Sequence, residues 1–503
     1  MNGIVIKRVR YPMQSQHVSP FLLGVLSRLV VLLWAILMTK LGAPYDSSTL
    51  LLPRPPSSQL SIPPNFFGCM NRESCLLDAS ILHLLSSLSN WDGAYFIHLA
   101  GPWGGYWHEQ FHAFLPGFPY MLHFLRITIL SPLENFGVAS PRTVLLLGGL
   151  TLNVVAFGLG AVALTGLTRR VLGPGNHVLL STLAYCVTPG GIFFSALYTE
   201  STFCAATFWG LWALEEGIAE AGNRKSFVWS PLWRVGLGAS LLVLASSIRS
   251  NGIMGVIFVA WSLFRIGSQQ WLRWEKRSTK GKELNELCSF ESLSLLLPHL
   301  LVFIPSLILP FLPLILFSRH ARERFCSSPY TCSDLPPKDD PPWCPCGPSS
   351  LYPYVQSQYW GVGWLRRWKI SQLPHFVLAF PMLILGLVAL WKWWSRGPGV
   401  WKWGGSSGPL KTIFRLGQGK LDEQEGRLTP YIFHWLLLCT VGIFFSHPQV
   451  LTRLCSSSNP AVYWTLAWAW SEGGNARRII LATWCVGYTV VGTALFTNAY
   501  NWT

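Results

Sequence analysis

Long apolar segments alternate with short polar or basic segments along the whole chain. Apolar segments long enough, or nearly long enough, to cross a bilayer as helices occur at about 21–41, 113–130, 143–167, 177–197, 200–216, 232–248, 250–265, 293–318, 373–394, 430–447, 459–471 and 479–497. Several are short or interrupted by Pro and Gly. The pattern predicts an all-α polytopic membrane protein, a single integral-membrane unit over residues 1–503, with about eleven transmembrane helices in a range of about 11 to 13.

The composition excludes a soluble globular protein. Only 12% of the residues are charged, about half of the ~25% that is typical of soluble proteins. The net charge of +16 is divided among short basic clusters that lie between apolar segments. This is the positive-inside pattern of membrane proteins, and it argues against a nucleic-acid partner.

The basic clusters also assign loops to the two sides of the membrane. The basic N-terminus and the basic loop 395–428 are predicted to be cytosolic, which places two large loops, 42–112 and 319–372, and the C-terminus on the lumenal side. Twelve full spans would return the C-terminus to the cytosol. One candidate span within 113–130 or 177–216 is therefore expected to be re-entrant, half-length or fused to its neighbour.

Cysteines are concentrated in the two loops assigned to the lumen, where oxidising conditions favour disulfides. The first loop contains Cys69 and Cys75. The second contains Cys326, Cys332, Cys344 and Cys346. Because their spacing is not that of a standard zinc site, we predict disulfides of open connectivity in the second loop, with a zinc site as the alternative.

The first large loop presents a carboxylate next to an amphipathic segment. Leucines and isoleucines recur at helical spacing within 76–89, which predicts a helix lying along the membrane surface, followed by Trp91 and Asp92. A carboxylate partly desolvated at this depth has a raised pKa, as a general base near neutral pH requires. The alternative interpretation is that Asp92 caps the next short helix.

Residues His108 to His112 match H-E-x-x-H, the zinc metalloprotease pattern. The flanking Gly and Pro residues leave barely two turns of helix, and no nearby segment offers a clear third ligand. A metalloprotease is therefore the alternative, and we expect Glu109 to act instead as a polar residue facing the same cleft as Asp92.

Further polar groups interrupt the spans, where charges are costly and usually face a cavity or a partner. Glu200 and Arg249 are expected either to pair with each other or to leave the Arg249 guanidinium free for a phosphate. Asn251 follows Arg249, and His447 and Gln449 precede Arg453.

The second large loop is rich in aromatic and amide side chains, including Gln356, Tyr359 and Trp360, with Arg366 and Arg367 shortly after them. Such groups suit a sugar, which stacks on rings and bonds to amides, but they suit a membrane interface equally well. The two arginines add a candidate site for a lipid phosphate.

Several short segments, taken in order, carry a family resemblance over almost the entire chain. They are WDGAYFIHLA, Glu109 before AFLPGFP, YTES, IRSNG, PPWC, YPYVQSQYWGVGWLRRW, LPHFVLAFP, HPQVLTR and NAYNWT. In this order they resemble the GPI mannosyltransferase 2 family. The inserted stretch 395–428 is the main part without a counterpart. The resemblance implies the glycosyltransferase C superfold and an endoplasmic reticulum membrane enzyme with its catalytic acid in the first lumenal loop. The implied donor is dolichol phosphate mannose, and the implied acceptor is a GPI lipid intermediate that receives its second mannose in α-1,6 linkage. A small membrane accessory subunit is also implied.

Carried over residue by residue, the resemblance places the family's Trp-Asp on Trp91 and Asp92, its following acidic residue on Glu109, and its Arg-Ser-Asn-Gly on Arg249 to Gly252. His112 departs from the pattern, since an apolar or aromatic residue is expected there. The resemblance implies Asp92 as the base and Glu109 as a second catalytic acid. Because Asp92 is not part of a D-x-D motif, the sequence requires no metal and no other cofactor, and a divalent metal assisted by Glu109 is the alternative.

The predicted substrate-binding residues are Trp91, Glu200, Arg249, Asn251, Gln356, Tyr359, Trp360, Arg366, His447 and Gln449. The alternatives to this function are another transferase that uses lipid-linked sugars, a zinc metalloprotease, and a lipid transporter.

Overall fold

The structure is a computed structural model that describes residues 19–42, 45, 75–102, 104–222, 229–278, 301–302, 304–327, 340–344, 351–395, 427–500 and 502. All regular secondary structure within these residues is helical. The first eight α-helices are α1 (Pro20–Leu41), α2 (Asp78–Leu85), α3 (Asp92–Ala100), α4 (Gly117–Leu125), α5 (Ser131–Asn135), α6 (Pro141–Leu172), α7 (Asn176–Cys186) and α8 (Glu200–Gly222). The remaining ones are α9 (Trp229–Ile248), α10 (Val256–Ser278), α11 (Leu312–Phe325), α12 (Leu351–Tyr359), α13 (Leu373–Ser395), α14 (Thr429–Phe444), α15 (Leu451–Ser458), α16 (Ala461–Glu472) and α17 (Asn475–Thr497).

Seven helical segments of the described residues are long and apolar enough to cross a membrane. They are Pro20–Leu41, Pro141–Leu172, Pro231–Ile248, Ser250–Gln269, Ile304–Phe325, Ile370–Trp393 and Asn475–Thr497. The shorter α14 is also apolar. The chain is therefore a multi-pass membrane protein, and its described residues agree with the predicted all-α class.

Two of the predicted spans are not continuous helices, and a third is too short to cross the bilayer core alone. The segment 113–130 is interrupted at Pro116, where α4 begins, and α4 continues directly into a π-helical turn, Arg126–Leu130. The segment 177–197 contains α7, which has 11 residues and is about 16 Å long, roughly half the thickness of the bilayer core. The segment 459–471 contains α16, of 12 residues. Broken helices of this kind are tolerated in membranes where their ends are buried in protein.

The 32-residue α6 lies at the centre of the helical bundle and packs against α1, α7 and α8. Its contact with α1 is close, because a Cβ added to Gly24 would lie 3.0 Å from Cα of Gly158. Small residues at such crossings bring helix backbones together in membrane proteins. One cluster of buried apolar side chains extends along α6, α8 and α13 to α17. A second lies beneath α3 and α4, and the candidate site is built over it.

Arg28 of α1 is buried and completes the interrupted end of α7. Its guanidinium donates hydrogen bonds to the backbone carbonyls of Cys186, at 2.7 Å, and Gly191, at 3.0 Å. The same group lies 4.2 Å from the centre of the Phe157 ring. Arg28 therefore supplies the partners that the carbonyl groups lose where the helix stops.

Replacing Arg28 by Leu is expected to destabilise the protein by about 2 kcal/mol, since two buried carbonyls lose a charged donor. Thermal unfolding of the purified protein in detergent would measure this. Leu33→Ala, on the lipid-facing side of the same helix, is the control. Equal stability of Arg28→Leu and the wild type would show that these carbonyls do not need Arg28.

Candidate active site

Asp92 begins a helix but does not cap it. The predicted amphipathic segment 76–89 forms α2 and a 3-10 turn, and the side chain of Asn90 then donates to the backbone carbonyl of Phe496 at 3.1 Å. The N-cap of α3 is Trp91, which has a φ of 57° and no side-chain capping hydrogen bond. A positive φ is costly for a residue other than Gly and is concentrated at functional sites. The carboxylate of Asp92 is thereby left available for other groups.

Two carboxylates share one guanidinium at this point. Nη1 of Arg453 lies 3.9 Å from Oδ2 of Asp92 and 3.7 Å from Oε1 of Glu200. Glu200 is the first residue of α8 and is fully buried, and the positive end of the helix dipole favours a carboxylate there. The structure thus joins the first large loop, the start of α8 and the short helix α15.

The segment before Glu200 is fixed by side chains of the bundle. Asn153, in the middle of α6, donates to the carbonyls of Ala196 at 2.6 Å and Tyr198 at 2.8 Å. The hydroxyl of Tyr198 in turn accepts a hydrogen bond from the backbone N–H of Asp92 at 3.2 Å. These bonds set the position of Asp92 relative to Glu200.

Arg453 is a candidate site residue that the sequence analysis did not select. It contacts both carboxylates, and its guanidinium lies 4.6 Å from the ring centre of Phe193 and 5.6 Å from that of Tyr198. A signal for it exists, because Arg453 is the only residue among Lys, Arg, Asp and Glu between Arg427 and Glu472. An isolated charge in such an apolar stretch indicates a functional site.

Burial raises the pKa of the Asp92 carboxyl above its ordinary value, and the positive charge of Arg453 opposes this shift. The negative charge of Glu200 raises this pKa further, and Arg249 lowers it. The Asp92 side chain nevertheless keeps 34% of its surface accessible. A carboxylate that is partly desolvated and still reachable has the properties of a general base.

Glu200 and Arg249 form the ion pair that was one of the two sequence-based alternatives. Nη1 of Arg249 donates to Oε1 of Glu200 at 2.6 Å and to the hydroxyl of Thr199 at 2.8 Å. Its Nε donates to Oδ1 of Asn251 at 3.3 Å, and Asn251 donates to Ser458 at 2.9 Å. The side chain of Arg249 remains 19% exposed.

Glu109 connects the two large loops. Its carboxylate accepts hydrogen bonds from the indole N–H of Trp343 and from the hydroxyl of Tyr359, the latter at 2.9 Å. In the described part of the chain, Asp92 forms an ion pair with Arg453, and the charges that act on its carboxylate are those of Arg453, Glu200 and Arg249. Glu109 is not among them. Glu109 therefore contacts the second loop rather than the cluster around Asp92.

The H-E-x-x-H motif does not have the geometry of a zinc site. His108 is the N-cap of a 3-10 helix, Glu109–Ala113, in which residues four apart point about 120° apart rather than about 40° as in an α-helix. His112 stacks on Phe317, with ring centres 5.0 Å apart, and burial lowers its pKa to about 4. It thus occupies the place of an aromatic residue. Among the described residues, no group of three or more His, Cys, Asp or Glu side chains is placed to hold a metal.

The predicted residues of the second loop form a separate cluster. The carbonyl of Trp360 accepts hydrogen bonds from Arg367 at 2.6 Å and from the His447 ring at 2.7 Å. Arg366 donates to the carbonyl and hydroxyl of Ser357, at 2.7 Å and 2.8 Å. The ring of Trp360 meets Phe114 edge-on at 5.8 Å, which places this cluster against the segment that directly follows the first loop.

The other two predicted residues of this region are Gln356 and Gln449. The backbone carbonyl of Gln356 accepts from the N–H of Val362 at 2.9 Å. The side-chain oxygen of Gln449 is buried and has no hydrogen-bond partner among the described residues. Gln449 is therefore an unused acceptor two residues beyond His447.

The second loop contains a disulfide bond between Cys326 and Cys344, whose Cα atoms are 5.8 Å apart. Cys75 of the first loop is also disulfide-bonded. Cys332 and Cys346 lie outside the described residues, as does Cys69.

Comparisons with known proteins agree with the family resemblance. The profile of the family described as Mannosyltransferase (PIG-V) matches residues 19–503. The chain is 30% identical over 409 residues to GPI alpha-1,6-mannosyltransferase 2 of Cricetulus griseus, covering 78% of this chain and 74% of the relative. It is 30% identical over 410 residues to the Homo sapiens protein of that name, with the same coverage of 78% and 74%.

A more distant animal relative extends the match. The chain is 29% identical over 452 residues to GPI mannosyltransferase 2 of Drosophila pseudoobscura pseudoobscura, covering 85% of this chain and 89% of the relative. No solved structure matches the chain.

Proposed function

The chain belongs to the PIG-V mannosyltransferase family and is a GPI mannosyltransferase; from this premise we propose that it adds the second mannose, in α-1,6 linkage, to the GPI lipid intermediate. The donor in this proposal is dolichol phosphate mannose. The name of the hamster and human relatives supports the linkage. The cluster around Asp92 is the single structural observation that supports the chemistry.

The donor sugar is β-linked to phosphate and the new bond is α, so one in-line displacement with inversion accounts for the product. The acceptor hydroxyl attacks C1 of mannose, its proton passes to the carboxylate of Asp92, and the bond from C1 to the phosphate oxygen breaks. The lipid phosphate leaves with the bonding electrons. Asp92 fits the role of base because it is partly desolvated, accessible and free of a capping hydrogen bond.

The guanidinium groups of Arg249 and Arg453, in the cluster around Asp92, supply the positive charge that the departing phosphate requires. Arg249 donates to Glu200 and Thr199 through Nη1 alone, which leaves Nη2 for a phosphate oxygen. Arg453 forms an ion pair with the Asp92 carboxylate at 3.9 Å. Arg366 and Arg367, in the neighbouring cluster with Trp360 and His447, are further candidates to bind the lipid phosphate.

The proposal includes a topology and a fold. The chain has the glycosyltransferase C superfold with about eleven spans, and the loops 42–112 and 319–372 lie in the lumen of the endoplasmic reticulum. The disulfide bond in the second loop supports an oxidising compartment. The basic loop 395–428 is cytosolic. A small membrane accessory subunit, implied by the family resemblance, is the partner that we expect.

Two experiments test the proposal. Mass spectrometry of the GPI intermediates in cells that lack this protein is expected to show a one-mannose species accumulating. The purified protein is expected to transfer mannose to that species from dolichol phosphate mannose. Accumulation of a two-mannose species instead would assign the protein to a different step, and labelling of the Asp92 segment by cytosolic reagents would contradict the topology.

The bonds of Glu109 to the second loop give it a positioning role with a distinct kinetic signature. Glu109→Gln leaves one of its two donors without a good acceptor, so we expect KM for the lipid acceptor to rise about tenfold while kcat changes little. Tyr359→Phe removes one of the same bonds and is expected to act in the same direction. Steady-state kinetics of the purified variants measure both constants. A loss of kcat comparable to that of an Asp92 variant would instead place Glu109 in the chemical step.

A further inference from the structure

A groove on the lipid-facing surface lies far from the active site. It is a cavity of about 480 Å³ between α13 and α17, with α16 as its floor. Its lining is almost entirely apolar. It includes Phe380 and Trp391 from α13, Trp468 from α16, and Ile480, Leu481 and Trp484 from α17, with Arg477 at one end. The residues of α17 recur at the spacing of one helix face, so they form a continuous wall.

The groove is at the opposite end of the bundle from Asp92. The far end of α17 meets Asn90, two residues before Asp92, through the carbonyl of Phe496. Arg477 is about 20 residues earlier on the same helix, which corresponds to about 30 Å, the full thickness of the bilayer core. The groove therefore opens to the leaflet opposite the active site.

A proline and a tyrosine define the inner end of the groove. The hydroxyl of Tyr488 on α17 donates to the carbonyl of Leu378 on α13 at 2.8 Å, which holds the two helices together there. Pro381, inside α13, removes one backbone hydrogen bond and favours a bend just beyond this contact. From Phe380 to Trp391 the groove follows about 16 Å of helix, close to the depth of one leaflet.

A basic side chain lies at the end of the groove that is farther from Tyr488. Arg477 has no hydrogen bond or ion pair with any described residue. Lys392 lies beside the groove, 4.8 Å from the ring centre of Trp468 and 3.9 Å from Glu472. A single unpaired guanidinium next to an apolar channel one leaflet deep matches the two parts of a phospholipid, an anionic phosphate and an acyl chain.

We propose that this groove binds one anionic phospholipid of the leaflet opposite the active site, with an acyl chain against α13 and α17 and its headgroup on Arg477. Outward-facing residues on both walls, Trp391 at 62% and Ile480 at 66% exposure, give a lipid direct access from the bilayer. The lipid fills the space between α13 and α17 on the Arg477 side of the hydrogen bond between Tyr488 and Leu378. This site is separate from the donor and acceptor sites proposed above.

The test uses the full-length protein reconstituted in vesicles of three parts phosphatidylcholine to one part phosphatidylserine, then extracted and examined by native mass spectrometry. The wild type is expected to retain one phosphatidylserine. Arg477→Glu is expected to reduce this retention by at least about fivefold, as for the loss of one basic contact at a membrane surface. Leu481→Trp, which fills the groove, is expected to reduce it as well.

Matched controls separate the groove from general effects. Arg478→Glu makes the same charge change one residue away, on a side chain that donates to the carbonyl of Trp470. Val486→Trp adds the same bulk elsewhere on α17. Both are expected to retain the lipid, and mannose transfer by all four variants verifies that they fold. Retention by Arg477→Glu equal to the wild type, equal retention of phosphatidylcholine, or a bound protein segment in place of lipid would overturn the proposal.

Discussion

Asp92→Asn is expected to lower mannose transfer by about 10²- to 10⁴-fold, the range for removal of a general base. Asparagine keeps the size of the side chain but does not accept the proton of the acceptor hydroxyl. Because the carboxylate makes no capping bond, the variant is expected to fold and to accumulate like the wild type. Expression in cells that lack the native enzyme, followed by measurement of GPI-anchored protein at the surface, provides the readout.

The control for Asp92→Asn is Glu323→Gln, which removes an exposed acid on α11 whose only described ion pair is with Arg319. It is expected to restore surface GPI-anchored protein fully. Full rescue by Asp92→Asn at normal protein level would remove Asp92 as the base, without affecting the family assignment.

Arg453→Gln is expected to change both the rate and its dependence on pH. A base works when deprotonated, so activity is lost as the pH falls through the pKa of Asp92, which burial raises above its ordinary value. Arg453 lowers that pKa, and its removal raises the pKa further and moves the acid limb to higher pH. Glu200 also raises the pKa of Asp92. Its negative charge is balanced by Arg249 alone once Arg453 is removed, so it adds to this shift.

The profile of kcat/KM against pH measures this effect, and we expect a loss of at least tenfold at neutral pH in addition to the displaced limb. Arg453→Lys retains the charge and is expected to return the limb toward that of the wild type. Arg319→Gln, in an exposed ion pair, serves as the control. An unchanged limb in Arg453→Gln would show that Arg453 acts on the structure and not on the charge of Asp92.

Local sequence patterns predicted the parts of this site that depend on neighbouring residues. The apolar spacing within 76–89 predicted the helix that precedes Asp92, and the desolvated carboxylate followed from its position. The same information left open whether Asp92 caps α3, because the answer depends on the backbone of Trp91. A positive φ at a tryptophan is imposed by the surrounding packing and has no signal in the local sequence.

Long-range contacts were beyond the sequence patterns. Arg453 is 361 residues from Asp92 in the chain, and nothing in either segment indicates that they meet. Glu109 was expected to face the cleft of Asp92, whereas its hydrogen bonds go to Trp343 and Tyr359. The positions at which spans are interrupted also depend on long-range contacts. Length and hydropathy do not show whether a buried partner such as Arg28 supports a helix end.

The shared guanidinium between Asp92 and Glu200 has an electrostatic consequence for catalysis. With both acids ionised, the two carboxylates balance the two arginines, Arg249 and Arg453, and the quartet is neutral. In the proposed reaction Asp92 takes up the acceptor proton, and the quartet then carries a surplus positive charge. That charge arises in the same step in which the lipid phosphate gains its second negative charge, so proton uptake and leaving-group departure favour each other across the reaction centre.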